Sequence, residues 1–358
     1  MPPKSSALET RFLRESEYPA WRTFVDAAPA GSIYSYPEYL DVLCRVAGGS
    51  FRVLGVFRGE EIHGGIALYE RSTGGGTFLS GRLLLYYNGL VLKKYEGKYP
   101  SRNASREVAI VGALEAALSG CGFAHTEIRN RHPIRDVRPF LSRGWAARPS
   151  YSFLQQTHDM DEAFGRVEQN QRRLIRRCEE EGAVLTSDDD FAAFYRMHLG
   201  THDRKGAPVY LPEANFREYF RGLRSQGLCR LFHVRLADGT PAASQLVLTG
   251  GHPVTHTVTA AAAPEFMRLG TTPFLRWKVC EALSTEGYRG NDLTDASLNE
   301  VTRFKAQLGG ELVTNLVLSG PDTLRYRVHR IGSRGLRRGR AALGRALRSW
   351  GVLPGRDR

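Results

Sequence analysis

Apolar positions along the chain follow the same order of patterns in its two halves. In the first half, 51–57 and 62–69 have strand-like patterning around the turn at 58–61, which predicts a β-hairpin. In the second half, 229–236 and 242–249 repeat this pattern around Asp238-Gly239. Each half is predicted as helix, hairpin, strand, helix, strand and short helix, and the second half adds a last strand. Repetition of a mixed α/β unit predicts two tandem domains.

The remaining elements come from helical spacing and from short apolar runs. Asp159 and Glu162 form a capping-box pattern and Gly182 is a stop signal, which predicts one helix over 159–181. The other predicted helices are 37–46, 106–119, 137–142, 191–203, 212–226, 273–286 and 299–308. The other predicted strands are 82–92, 123–129, 253–260, 291–293 and 312–318. We therefore predict an N-terminal domain at 1–152, a C-terminal domain at 153–320 and an arm at 321–358.

Composition limits the class of protein. The 358 residues are 42% hydrophobic and 24% charged, as in soluble globular proteins of about two domains. No apolar run is long enough to span a membrane, and no apolar signal region opens the chain, so we expect a cytoplasmic protein, with contact at the inner face of the membrane left open. Five widely spaced cysteines and the lack of an HExxH pattern predict neither disulfides nor a metal site.

Most of the excess positive charge lies in the arm. Residues 321–358 contain eleven arginines, no lysine and two aspartates, which is +9 of the net +13. Leu336, Leu343, Leu347 and Trp350 fall on one side of a helical projection, with arginines opposite. A basic amphipathic helix suits an anionic membrane surface or nucleic-acid phosphates. The alternative is an arm that packs on the body of the protein or is solvated.

Four stretches carry a resemblance to a known family. They are Asn170-Gln-Arg-Arg-Leu-Ile-Arg-Arg177 with Glu181-Gly182, Thr201-His-Asp-Arg-Lys-Gly206, Leu275-Arg-Trp277 with Gly287-Tyr288 and Asn291-Asp-Leu293, and Arg303-Phe-Lys305 with Leu308-Gly-Gly310. In this order and spacing the chain resembles FemAB-type transferases from about Arg11 to Ser319. The resemblance implies an α/β (α+β) fold of two tandem GNAT-like acyltransferase domains with mixed central sheets.

The resemblance also implies a reaction. Family members transfer an amino acid from aminoacyl-tRNA to an amine of a peptidoglycan precursor, whereas relatives are interpreted as acyl-CoA N-acyltransferases. We therefore expect amide formation with aminoacyl-tRNA as donor, no permanently bound cofactor, and a nucleotide-linked or lipid-linked acceptor. One alternative is acyl-CoA as donor. A further alternative is a non-enzymatic module that binds polyanions or membranes. The oligomeric state is left open.

Candidate catalytic residues come from the same stretches. Acyl transfer to an amine needs donors for the developing oxyanion, and the resemblance assigns this role to Lys305. Phe304 would shape the acyl pocket or support the cation. Asp292 and Asp295, at a short strand end, are candidates for the base that takes the amine proton. The alternatives are a solvated Lys305, a core Phe304, an Asp292 that caps a turn, and a reaction without a dedicated base.

Candidate binding residues are mainly basic. For the acceptor, the resemblance points to Arg204 and Arg45 as phosphate ligands, with His256 and Trp277 as further substrate contacts. For the donor, the loop residues Arg268, Gly270, Thr271 and Thr272 replace the glycine-rich loop that holds the CoA pyrophosphate. Their single glycine, followed by Pro273, favours aminoacyl-tRNA. The arginines Arg172, Arg173 and Arg176 would contact tRNA phosphates, or form a solvated helix face.

Overall fold

The structure is a computed structural model that describes residues 7–81, 84–209 and 211–331. Residues 324–331, at the start of the predicted arm, are helical. The basic amphipathic helix predicted around Leu336 to Trp350 lies outside the described residues. Within the described part of the chain, no helix is both long enough and apolar enough to cross a membrane.

The strands have the following bounds: β1 (Leu8–Phe12), β2 (Ser50–Arg58), β3 (Glu61–Thr73), β4 (Gly76–Leu79), β5 (Val91–Leu92), β6 (His125–Asn130), β7 (Ala146–Gln156), β8 (Val184–Ser187), β9 (Cys229–Arg235), β10 (Pro241–Leu248), β11 (Val254–Ala262), β12 (Gly290–Asp292) and β13 (Glu311–Ser319). The α-helices are α1 (Tyr18–Ala27), α2 (Pro37–Ala47), α3 (Pro100–Gly120), α4 (Arg138–Ser142), α5 (Met160–Gly165), α6 (Gln169–Glu180), α7 (Phe191–Arg204), α8 (Glu213–Ser225), α9 (Thr271–Thr285) and α10 (Glu300–Gln307).

One mixed sheet runs through both halves of the described chain. Its strand order is β1-β2-β3-β4-β6-β13-β7-β12-β11-β10-β9-β8, and β5 pairs with β3. The last strand, β13, lies between β6 of the first half and β7 and pairs antiparallel with both. The mixed α/β class is confirmed. The boundary between 152 and 153 falls inside β7 and stays a prediction.

Both predicted hairpins are present, as β2–β3 and β9–β10. The predicted single helix over 159–181 is wrong, because α5 ends at Gly165 and α6 begins at Gln169. At the break the Glu168 N–H donates to the carbonyl of Gln307 at 2.9 Å, and Val167 is buried. A tertiary hydrogen bond and a buried side chain thus override the local helical signal. The sequence patterns also left out the helix α1 and the strands β1, β4, β7 and β8.

The predicted strand over 82–92 is reduced to β5 among its described residues, because side-chain bonds replace the ladder there. Asn88 Nδ2 donates to the Glu127 carbonyl, and the Arg129 N–H donates to Asn88 Oδ1. A Cβ on Gly89 would lie 2.6 Å from Asn130 Cα. The backbone can approach β6 this closely only at a glycine.

Candidate active site

The sheet opens where β11 and β12 part. These strands pair in parallel only from Val254–Gly290 to His256–Asp292. Beyond that point β11 continues along β10 to Ala262, whereas the segment that follows β12 leaves the sheet at Leu293. The register between β10 and β11 also shifts at Val258, a β-bulge, and bulges re-aim side chains next to functional sites. The result is a wedge-shaped gap at the carboxyl ends of two parallel strands, a common ligand position in α/β sheets.

A cavity of about 530 Å³, here called the cleft, occupies this gap. Its floor is the β11 segment from Thr257 to Ala260, and one wall is the segment from Leu293 to Asp295. Basic side chains from three helices also line it: His202 and Lys205 from the end of α7, Arg276 from α9 and Lys305 from α10. Asp295 is the acidic residue among the described lining. The cleft therefore favours anionic ligands.

Lys305 lies in the cleft wall but uses all its donors within the protein. The residue is 7% exposed, and Nζ donates to the carbonyls of Leu293 at 2.8 Å, Thr294 at 2.6 Å and Asp295 at 2.6 Å. Burial, with Arg276 nearby, lowers its pKa to about 8. The solvated alternative for Lys305 is therefore wrong. In this geometry Lys305 holds the segment that follows β12, and stabilising an oxyanion would require it to give up a carbonyl.

Arg276, unlike Lys305, has a hydrogen-bond donor that no described residue uses. Its Nη1 is inaccessible to solvent and has no hydrogen-bond partner in the described structure. No ion pair with a described acidic residue compensates the charge. Burial lowers the pKa of Arg276 to about 10. A guanidinium without a partner, in the wall of a cavity, is a ready site for an anion.

Asp292 faces away from the cleft, toward the first half of the chain. Its Oδ2 accepts from the Tyr87 hydroxyl at 2.8 Å, and its Oδ1 accepts from the Thr294 N–H at 2.8 Å. Burial raises its pKa, and the buried Arg131 nearby opposes that change. The bond to Thr294 is that of a carboxylate capping a turn, as the alternative interpretation expected. Asp292 is not among the described residues that line the cleft.

His256 is buried beside Asp292. Its Nδ1 lies 3.8 Å from Asp292 Oδ2, too far for a hydrogen bond, and neither ring nitrogen has a partner among the described residues. The ring makes edge contacts with Tyr34 at 5.0 Å and Tyr87 at 5.8 Å between centroids. Burial lowers its pKa well below the usual value. His256 is thus a neutral ring in the contact between the two halves.

Asp295 lines a second cavity as well as the cleft. This cavity, of about 470 Å³, lies against the first half and is lined by Tyr86, Tyr87, Arg129, Arg148 and Tyr151, among others. Arg129 and Arg148 both pair with Glu127, at 3.0 Å and 3.1 Å, and Asp295 supplies a second negative charge, so two arginines face two carboxylates here. Asp295 is exposed and accepts from the Ser297 hydroxyl. Of the two candidate bases, the geometry therefore favours Asp295.

The candidate donor loop is closed at its centre. Gly270, with φ of +87°, precedes α9, and a Cβ there would lie 2.5 Å from the carbonyl oxygen of Leu174 on α6. The Gly270 N–H donates to Met267, and Thr271 is fully buried. Thr272 is half-buried, Pro273 has no N–H, and Arg268 is exposed. This helix start presents few open amides to a pyrophosphate.

The arginines of α6 form a basic surface. Arg172, Arg173, Arg176 and Arg177 line an open groove of about 830 Å³. None of the four makes an ion pair with a described residue; Arg173 bonds Asn170, and Arg176 lies over the Phe164 ring. Their charge is therefore available to a polyanion.

Four other candidates lie outside the described lining of the cleft. Arg204 is exposed and donates to Thr201 and to the Ala262 carbonyl. Arg45 pairs with Asp41 one turn away on α2, with 52% of its side chain exposed. Trp277 is buried against Phe164, and Phe304 packs on the same core. For Trp277 and Phe304 the geometry favours packing, as the core alternative for Phe304 expected.

Sequence reasoning singled out Lys305 but missed the other basic residues that line the cleft. Arg276, His202 and Lys205 all lie within the stretches that carry the resemblance, beside the residues that were singled out. A signal was present for Arg276: an arginine on a helix of otherwise mostly apolar residues between Pro273 and Cys280. Such a residue is either paired inside the protein or waits for an anion.

Comparison with known proteins supports the fold. Residues 165–305 match the family model of the acetyltransferase (GNAT) domain. No curated protein sequence matches the chain. The crystal structure of FemX superposes with a TM-score of 0.71 at 12% identity, covering 90% of this chain and 99% of that one.

Two further solved structures are similar. The C-terminal domain of a putative lysylphosphatidylglycerol synthetase from Agrobacterium fabrum has a TM-score of 0.55 at 12% identity, covering 86% of this chain and 92% of that one. A tandem GNAT protein from the clavulanic acid biosynthesis pathway has a TM-score of 0.50 at 13% identity, covering 88% and 100%. The chain is therefore an acyltransferase with a GNAT domain at residues 165–305, in a FemAB-like fold shared with FemX and with a tandem GNAT protein.

Proposed function

We propose that this acyltransferase takes an aminoacyl group from aminoacyl-tRNA and forms an amide with an amine of a peptidoglycan precursor or a related small acceptor. The observation that supports this choice of donor is the groove on α6. Four arginines and one acidic residue, Glu180, line it, and none of the arginines forms an ion pair with a described residue. Lys and Arg side chains that neutralise nucleic-acid phosphates release counterions, which supplies much of the affinity. The groove suits an RNA backbone in this way.

The start of α9 supports the same donor. A CoA pyrophosphate needs several open N–H groups at a helix N-terminus. Here Gly270 donates within the protein and Leu174 lies against it, while Thr271 is buried. A donor that binds through phosphates elsewhere does not need this cradle.

The two cavities offer separate places for donor and acceptor. The acyl ester would occupy the cleft, and the acceptor amine would approach from the second cavity, where Arg129 and Arg148 would contact the phosphates of a nucleotide-linked or lipid-linked precursor. The amine nitrogen attacks the ester carbonyl carbon, and the 3′-terminal hydroxyl oxygen of the tRNA leaves. Asp295, which lines both cavities, would accept the amine proton and pass it to the leaving oxygen. The basic arm at 321–358 would add contact with tRNA or with an anionic membrane.

Acyl-CoA is the second candidate donor, and a specific observation favours it. The gap between β11 and β12 could admit a narrow acyl thioester chain, and the matched family model is that of an acetyltransferase domain. A CoA donor would leave the groove on α6 without a ligand. Substitutions in the groove should therefore distinguish best between the two donors.

The test is a donor assay with a matched charge change. Arg173→Gln, Arg176→Gln and Arg177→Gln together should weaken donor tRNA binding and reduce the slope of log affinity against log salt by about 2–3. The control removes three ion-paired arginines of the same half: Arg166→Gln, Arg217→Gln and Arg224→Gln. It should change the slope much less. RNase should abolish amide formation. Full activity with acyl-CoA after RNase treatment would contradict the proposal.

A further inference from the structure

The cleft contains a positive charge that the described protein leaves without a partner. Arg276 projects from the second turn of α9 into the lining, and its solvent-inaccessible Nη1 has no acceptor there. Leaving such a group unpaired costs several kcal/mol. A position with this cost is typical of a binding site, where the ligand supplies the missing partner.

Two further positively charged side chains line the same cleft. Lys305 is nearby, and its ammonium is bound to carbonyl oxygens, which satisfy its hydrogen bonds without neutralising its charge. Lys205 also lines the cleft, is exposed, and has no ion pair with a described residue. Asp295 is the acidic residue in the described lining, and its side chain bonds Ser297. No described acidic residue forms an ion pair with Arg276, although Asp295 lines the same cleft.

We propose that the cleft binds a carboxylate group of the substrate through Arg276, with Lys205 and His202 at the same site. The planar guanidinium presents paired N–H donors that match the two oxygens of a carboxylate. A neutral acyl group would leave the guanidinium charge without a counter-charge in the bound state as well. Cleft binding therefore selects against neutral ligands, because they leave the charge of Arg276 without a partner.

The carboxylate could belong to either substrate of the proposed reaction, and only this assignment rests on the proposed function. On the transferred acyl group, it would be the side chain of an acidic amino acid. On the acceptor, it would be a carboxylate near the reacting amine. In both cases Arg276 determines specificity by touching the substrate.

The first experiment measures binding without catalysis. Glutarate carries the proposed group, and glutaramide is its neutral analogue of similar shape. In calorimetry and thermal unfolding of the full chain, glutarate should bind and raise Tm, whereas glutaramide should not. Arg276→Gln should weaken glutarate at least tenfold. Arg276→Lys keeps the charge without the fork and should weaken it less. Arg289→Gln, an exposed arginine outside the cleft, is the control and should keep wild-type affinity.

These binding measurements test the carboxylate site independently of the proposed reaction. Equal binding of glutarate and glutaramide, or unchanged glutarate affinity in Arg276→Gln and Arg276→Lys, would overturn the proposal. Inorganic phosphate that binds more than tenfold tighter than glutarate would overturn the carboxylate assignment. None of these results depends on the donor, so failure of the tRNA proposal would leave them unaffected.

A second experiment assigns the carboxylate to a substrate. With tRNA charged with aspartate or alanine, an acyl-group carboxylate predicts a preference for aspartate that Arg276→Gln abolishes. A carboxylate on the acceptor predicts an unchanged donor preference and a higher KM for the acceptor in the variant. A variant that changes neither quantity would overturn the role in specificity.

Discussion

The two sides of the cleft hold their cations differently. On the α10 side, the ammonium of Lys305 is saturated by three carbonyl oxygens. On the α9 side, the Arg276 guanidinium has a buried nitrogen without a partner in the described chain. Both lie in the same lining. The difference shows that a cationic side chain cannot be assigned a role in binding or catalysis from its position in a cleft alone. A cation whose hydrogen-bond donors are all used within the protein supports the structure, whereas one with an unused donor is available to a ligand.

The comparison also bears on the reaction. If Lys305 stabilises the oxyanion, one of its carbonyl bonds must break as the ester carbonyl develops charge, and the segment 293–295 must shift. If it acts through that segment, it sets the position of Asp295 and the width of the gap beside β11. Arg276 would bind substrate in the ground state in either case. Substitutions of Lys305 and of Arg276 are therefore expected to have different effects on the reaction rate and on the free energy of unfolding.

The largest expected effect is that of Lys305→Met. Loss of an oxyanion donor lowers single-turnover rates on the order of 10²–10³-fold, and loss of the ammonium leaves carbonyls unsatisfied, at about 1–3 kcal/mol of unfolding free energy. Rates and chemical denaturation on the same variant measure both. Lys278→Met, on α9 outside the described cleft lining, is the control for losing a lysine. A wild-type rate would exclude the catalytic role, and unchanged stability would exclude the anchoring role.

The next effect concerns the helix that carries Arg276. Gly270→Ala puts a Cβ 2.5 Å from the Leu174 carbonyl oxygen at φ of +87°. A non-glycine residue in this region costs about 1–3 kcal/mol, and the clash adds to it. Gly287→Ala has φ of +90° and open space around the added Cβ, so it isolates the backbone cost. Equal losses of unfolding free energy in the two variants would show that α6 does not press on the start of α9.

Some of this site could be predicted from sequence and some could not. The hairpins, the helix α9 and the positions of Asp295 and Lys305 follow from local patterns and from the resemblance. The carbonyl cage around Lys305 could not be foreseen, since it depends on where the chain leaves the sheet after β12. The break between α5 and α6 likewise depends on a hydrogen bond to Gln307, distant in sequence. Tertiary contacts decide which polar groups find partners, so the sequence pointed to Lys305 but could not show that its donors are satisfied, and the unpaired Arg276 was missed.

The third effect is a dependence on pH. Because burial lowers the folded-state pKa of Lys305 to about 8, the unfolded chain binds more protons between about pH 8 and the ordinary lysine pKa. The unfolding free energy contributed by this group should therefore rise with pH across that window, by about 1.5 kcal/mol between pH 8 and 9.5. Subtracting the curve of Lys305→Met isolates it from other groups. A flat difference curve would show that the three carbonyls keep the ammonium at its ordinary pKa.

The smallest effect has the opposite sign. Arg276→Met removes a buried charge without a partner, and apolar side chains that replace buried charges are often neutral or stabilising. We expect the unfolding free energy without ligand to rise by about 1 kcal/mol, while Lys305→Met lowers it. Denaturation of both variants in a buffer without carboxylates measures the contrast, since a bound anion would stabilise the wild type by mass action. A loss in Arg276→Met equal to that in Lys305→Met would mean that both cations have structural partners, and the two sides of the cleft would then not differ.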